Sequence, residues 1–126
     1  PATEQILVLE DPDAGVIGLG SGGFTRDRAS TYGGEVYTLY VHPDHQNLGH
    51  GERLLAGLFD IMIAQGYDAA VIWVLKANPS RFFYEVMKGK RVGEREEKLW
   101  GTILGEIAYG WEDLEGALEV GRPGLG

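Results

Sequence analysis

Apolar positions follow two rhythms along the chain. Residues 5–10 carry Ile6, Leu7, Val8 and Leu9 in a short, partly β-branched run, which predicts a strand. Asp11-Pro12-Asp13-Ala14-Gly15 reads as a turn. A glycine-rich strand over 16–24 completes an antiparallel hairpin, and the polar stretch 25–34 reads as a surface loop. Val36, Tyr37, Thr38, Leu39, Tyr40 and Val41 are all good strand formers and predict a strong strand over 35–42, broken by Pro43-Asp44-His45-Gln46. The rhythm then changes. Leu54, Leu55, Leu58, Phe59, Met62 and Ile63 make one apolar stripe, so a helix is predicted over about 49–65 with Gly66 closing it.

Residues 69–75 are apolar nearly throughout and read as a buried strand. Strand, amphipathic helix and apolar strand in that order mark a parallel crossover. Asn78-Pro79 suits the start of a short helix carrying Phe82, Phe83, Tyr84, Val86 and Met87, ended by Gly89. Residues 91–100 and 103–111 read as two closing strands joined at Gly101. The pattern is β-β-β-α-β-α-β-β, a mixed α/β arrangement (α+β in some schemes). The domain is placed at 1–112, and 113–126 is an acidic, glycine-rich tail expected to fold only in part.

Length and composition narrow the chemistry. A chain of 126 residues is one domain by length. The absence of cysteine removes disulfides, thiolate zinc sites and a cysteine nucleophile. A formal net charge of -8 opposes nucleic-acid binding and accommodates a cationic amine. No apolar run reaches membrane-spanning length, and residues 1–5 do not form a signal peptide, so a cytoplasmic setting without membrane or nucleic-acid partners is expected.

The sharpest motif is Gln46-Asn47-Leu48-Gly49-His50-Gly51, between the strong strand and the strong helix. The first turn of a helix has backbone N–H groups without internal partners, its dipole attracts negative charge, and glycine lets a phosphate approach closely. A pyrophosphate could be held by backbone groups from Leu48 to Arg53, including Glu52. A glycine-rich helix start without a ligand is the plainer reading of the hexamer alone. It is not a Walker loop, since Gly-Lys-Ser/Thr is missing, and no Gly-x-Gly-x-x-Gly opens a helix as a doubly wound nucleotide fold requires.

In context this stretch resembles the GCN5-related N-acetyltransferases (GNAT). A strand ending Val41-His42-Pro43 runs into Gln46-Asn47-Leu48-Gly49-His50-Gly51 and then the Leu54-Leu55 helix, and Asn78-Pro79-Ser80-Arg81-Phe82-Phe83-Tyr84-Glu85 is similar to the family's second conserved region with one residue fewer. The resemblance covers about residues 5–112 and is specific over 39–55 and 78–84. It implies a mostly antiparallel mixed sheet whose one parallel strand pair splays apart to admit acetyl-coenzyme A. It also implies that the turn wraps the pyrophosphate, that Leu39, Tyr40 and Val41 contact the pantetheine and acetyl part, and that Asn78 and Phe83 lie near the cofactor arm. By the same resemblance, Tyr84 stands near the thioester sulfur and can protonate the leaving thiolate. Relatives usually carry a further strand and one or two helices before the first hairpin, so a reduced N-terminal part is expected here.

Direct transfer needs a neutral amine, stabilisation of the oxyanion and a proton for the thiolate. Glu35, at the start of the central strand, is the first candidate base, and His42 is another proton carrier by type. Each candidate also has a plain reading: Glu35 as a solvent-facing carboxylate, Asn78 as a helix cap, Phe83 as core, Tyr84 as a half-buried aromatic. His42, Asp44, His45 and His50 lack a matched second set of ligands, so no metal is expected. The function expected is acetyl transfer from acetyl-CoA to the primary amine of a small molecule or peptide. The competing readings are an acetyl-CoA-binding or structural domain without transfer, and a binder of another phosphate compound. A homodimer is plausible for so short a domain with an exposed sheet edge.

Overall fold

The computed structural model describes residues 4–26 and 30–120. Six strands, β1 (Gln5–Asp11), β2 (Gly15–Phe24), β3 (Gly34–Val41), β4 (Ala70–Leu75), β5 (Lys90–Leu99) and β6 (Thr102–Trp111), form one sheet. Helix α1 (His50–Ala64) connects β3 to β4, α2 (Phe82–Val86) lies between β4 and β5, and α3 (Leu114–Val120) follows β6. The sheet order is β1-β2-β3-β4-β6-β5. Every neighbouring pair is antiparallel except β3 and β4, which run parallel across the α1 crossover. This is the mixed, mostly antiparallel sheet expected from the sequence.

The stripe read from the sequence is the buried face of α1, where Leu54, Leu55, Leu58, Phe59 and Met62 are all buried. They pack on β2, and the glycines of that strand explain how closely. A Cβ built at Gly18 would lie 3.1 Å from Leu54 Cδ1, at Gly20 3.1 Å from Leu58 Cδ1, and at Gly22 2.7 Å from Met62 Cε. Successive turns of the helix thus rest on side-chain-free positions of one strand face. The helix ends where Gly66 takes φ 95°, with Tyr67 N–H donating to Met62 C=O and Gly66 N–H to Ile63 C=O.

The tail, expected to fold only in part, opens with helix α3. Leu114 is fully buried, joins the main core, and donates its N–H to Asp68 C=O at 3.0 Å. Asp113 Oδ1 accepts the N–H of Gly116 at 3.1 Å, the kind of local cap that lets a short polar segment turn helical. Residues 121–126 of the expected tail lie outside the described residues.

Two irregularities shape the middle of the sheet. Ser21 pairs with Thr38 but Gly22 pairs with Val36, so Tyr37 is an extra residue on β3. Such a bulge bends its strand and raises the local twist. The parallel pairing of β3 with β4 covers Gly34–Ala70, Glu35–Val71 and Val36–Ile72 and stops there, next to the bulge.

Candidate functional site

Beyond Val36 the two parallel strands part, and β3 runs on to Val41 with no strand on its β4 side. Between them opens a cleft of about 700 Å³, within the usual range for a small-molecule site. Leu39, Tyr40 and Val41 line it from β3, Val74 from β4, and His45, Gln46, Asn47, His50 and Gly51 from the turn into α1. Asn78, Pro79, Ser80, Phe82, Phe83, Tyr84 and Val86 close it from the segment after β4. Leu39 and Val41 fall on the opposite face of β3 from Tyr40 by strand alternation, so the gap is framed from both sides of the sheet.

The turn into α1 is built for close approach. Gln46 Nε2 donates to Val41 C=O at 3.0 Å and ties the turn to the end of β3. Asn47 and Gly49 take φ of 64° and 85°, left-handed values that asparagine and glycine tolerate best. Gly51 lies under Phe83, whose ring would stand 3.4 Å from any Cβ there. Among the described residues, the N–H groups of Leu48, Gly49, His50, Gly51 and Glu52 donate to no protein acceptor. The next one, of Arg53, is already taken by Gly49 C=O at 3.1 Å, so the free run ends one residue before the limit read from the sequence. Among the described residues, none that lines the cleft is Lys, Arg, Asp or Glu. An anion held here would depend on backbone N–H groups and the helix start, with His45 and His50 beside them. His50 Nδ1 is sealed from solvent and has no partner among the described residues.

Tyr84 is buried, at 6% exposure, with its ring against Phe83, Tyr109 and Trp111. Burial pushes its phenol up to about 12. Its hydroxyl has no hydrogen-bond partner among the described residues, although the side chain lines the cleft. Asn78 Oδ1 accepts the N–H of Ser80 at 2.9 Å, so it caps a 3-10 turn over Pro79–Arg81 that leads into α2 and not α2 itself, and Asn78 lines the cleft as well.

The cleft therefore brings together Leu39, Tyr40, Val41, Gln46, Asn47, His50, Gly51, Asn78, Phe83 and Tyr84. Leu48, Gly49, Glu52 and Arg53 stand in the same turn without lining it, and Leu48 points outward at 65% exposure. Glu35 is placed apart. It is buried, at 3% exposure, but does not line the cleft. Its Oε1 accepts the backbone N–H of Arg26 at 2.8 Å and its Oε2 the Arg26 guanidinium at 2.9 Å. This holds the loop after β2 to the sheet, and the carboxylate in turn raises the Arg26 pKa. His42 is also outside the cleft lining, with Nδ1 accepting the Asp44 N–H at 3.1 Å. Among the described residues no group of His, Asp and Glu is arranged to hold a metal ion. Val74 was legible only as part of an apolar strand, although it shares a face with Ala70 and Ile72. Phe82 and Val86 gave no signal that separates cleft from core.

Comparison with known proteins agrees with this geometry. The family described as FR47-like protein matches residues 16–100. The N-acetyltransferase YuaI of Bacillus subtilis strain 168, itself uncharacterised, is 33% identical over 109 residues, covering 86% of this chain. The chain spans 63% of that relative's length. An N-acetyltransferase from Staphylococcus aureus Mu50 shares the fold with a TM-score of 0.70 at 23% identity, over 88% of this chain and 68% of its own. YncA from Salmonella typhimurium, solved with its cofactor acetyl-CoA, gives 0.69 at 24% identity, over 88% of this chain and 65% of its own. With the family match spanning more than half of the chain, and a splayed strand pair meeting a free helix start in the structure, the chain belongs to the GCN5-related N-acetyltransferase family.

Proposed function

We propose that this chain binds acetyl-CoA in the cleft between β3 and β4 and transfers the acetyl group to a primary amine by direct attack in a ternary complex. The observation that carries this reading is a single cavity bordered by the helix start with its run of free N–H groups and by the unpartnered hydroxyl of Tyr84. The diphosphate would meet the N–H groups, and the pantetheine arm would lie along Leu39, Val41, Val74 and Phe83. Backbone groups on the open edge of β3 are available to amides of that arm and to the oxyanion.

The acceptor enters as a neutral amine, and its nitrogen attacks the thioester carbon. The carbon–sulfur bond breaks as the amide bond forms. The sulfur takes the phenolic proton of Tyr84, and the proton released by the nitrogen passes to water, which later restores the phenol. Tyr84 suits the acid role because burial keeps it protonated well above neutrality. Both Glu35 oxygens are engaged by Arg26, so we assign Glu35 to holding the loop and not to accepting the amine proton.

Calorimetry with acetyl-CoA is expected to give a dissociation constant on the order of micromolar. Thiol release across a panel of small-molecule and peptide amines is expected to identify an acceptor. Tyr84→Phe should then lower kcat by about a hundredfold with acetyl-CoA binding retained. No heat at millimolar acetyl-CoA would end the cofactor assignment, and wild-type turnover in Tyr84→Phe would end the acid role. A coenzyme-binding domain without transfer is the second reading. Binding without thiol release for any amine would select it.

A further inference from the structure

Helix α2 carries Tyr84 but is only 5 residues long and has no side-chain cap. A helix of that length has no stability of its own, so its place is set by what it touches. Part of the answer is apolar: the Tyr84 ring meets Tyr109 and Trp111 of β6 at centroid distances of 6.0 and 6.3 Å. The other part is a closed polar triangle. The Tyr109 hydroxyl donates to Glu85 Oε2 at 2.5 Å and accepts from Arg81 Nη1 at 3.1 Å. Arg81 Nη1 also stands 3.4 Å from the same Glu85 oxygen. Arg81 Nε donates to Lys76 C=O at 3.1 Å, just past the end of β4. Tyr109 is fully buried, so its hydroxyl leaves water only because both neighbours satisfy it.

The geometry points to Arg81, Glu85 and Tyr109 as a clamp of positioning residues that fixes Tyr84 against the cleft, an inference that rests on the acid role given to Tyr84 above. Glu85 lies on the same short helix as Tyr84, so holding its carboxylate holds the backbone that carries the phenol. Arg81 joins the same point to the end of β4, the strand that forms the facing wall. The clamp therefore ties α2 to β4 and β6 together. None of its three members lines the cleft. They act on transfer through Tyr84 and leave diphosphate binding alone.

Tyr109→Phe tests this with one atom removed and the ring kept. With the best acceptor from the amine panel, kcat is expected to fall on the order of tenfold or more, because small misplacements of a reacting group are costly. The calorimetric dissociation constant for acetyl-CoA should stay within about twofold, since an unperturbed site contributes the same binding energy. Glu85→Ala should match Tyr109→Phe, and Glu85→Gln, which retains an oxygen to accept the hydroxyl, should recover most of the rate. In a Tyr84→Phe background, adding Tyr109→Phe should cost nothing further. Should Tyr109→Phe melt below the assay temperature, the Glu85→Ala and Glu85→Gln pair decides alone, as that side chain is half exposed. Wild-type kcat in Tyr109→Phe and Glu85→Ala, with Tyr84→Phe slow, overturns the clamp only. A rate loss that persists with Tyr84 already replaced also overturns it. Wild-type kcat in Tyr84→Phe, or no amine turned over at all, removes the transfer chemistry and the clamp together.

Discussion

Tyr84 and Glu35 are both buried titratable side chains, and their surroundings treat them in opposite ways. Glu35 has a guanidinium and a backbone N–H on its two oxygens, so its charge is met inside the protein. Tyr84 has aromatic rings around it and no polar partner among the described residues, and burial favours its neutral form and raises its pKa to about 12. That rise has a consequence for stability. In the unfolded chain the phenol titrates near its ordinary value of about 10. Above that pH the unfolded state has lost the proton while the native state keeps it, so the native state binds more protons and stability falls as pH rises. The contribution is complete below pH 10 and is lost towards pH 12, at no more than about 1.4 kcal/mol per pH unit. Urea midpoints at pH 9, 10 and 11 should therefore fall more steeply for the wild type than for Tyr84→Phe. Parallel falls would show that Tyr84 is not held neutral by burial. The sequence alone named both residues, but it could not separate them, because neither the Arg26 contact nor the aromatic surroundings of Tyr84 are local in the chain.

At the level of elements, what was legible follows from short-range pattern. The stripe of α1 and the run of β3 lie within a few residues and take the expected form, while the Asn78-Pro79 cap, just as local, opens a 3-10 turn ahead of α2. The bulge at Tyr37 and the early end of the β3–β4 pairing depend on strands far apart in sequence, and no residue pattern announces them. The start of α3 was hidden for a different reason: its polar, glycine-bearing composition reads as a tail, while Leu114 is buried in the core and Ala117 and Leu118 pack against it. The glycines of β2 sit between these cases. Their number was visible, but their use became clear only with α1 lying on them. A methyl group at position 22 would meet Met62 Cε at 2.7 Å and also the Glu35 carbonyl oxygen at 2.8 Å. The methionine can swing away, whereas the backbone carbonyl of β3 cannot. At position 20 the nearest atom is Leu58 Cδ1 at 3.1 Å, a side-chain methyl with some freedom. Gly22→Ala should therefore cost about 1–3 kcal/mol in urea unfolding, the usual range for overpacking, and Gly20→Ala clearly less. Equal costs would mean that the helix, and not the strand backbone, absorbs the added volume.

Across the whole molecule, the cleft is a place where the sheet has given up pairing. Within the sheet, the β1–β3 side and the β4–β6 side meet at Gly34–Ala70, Glu35–Val71 and Val36–Ile72, and the edges beyond are left to whatever enters. A ligand in the cleft touches Leu39, Val41 and the α1 start on one side and Asn78, Phe83 and Tyr84 on the other, so it should act as a missing piece of the sheet. Anything that binds the native state alone raises stability by mass action, about 2.7 kcal/mol at a hundred times its dissociation constant. For a domain of this size that is a rise in melting temperature of about 10 °C. The free N–H run of α1 determines which part of the ligand supplies it. If those groups hold the diphosphate, acetyl-CoA and CoA should raise the melting temperature alike at equal concentration. Pantetheine, which keeps the arm and lacks the diphosphate together with the phosphorylated adenosine, should do much less. Among the described residues the cleft lining has no lysine or arginine, so the share of the difference that belongs to the diphosphate falls on the helix start with His45 and His50 beside it. A pantetheine shift equal to that of CoA would locate the binding energy in the apolar walls and leave the N–H groups of α1 without a ligand to hold.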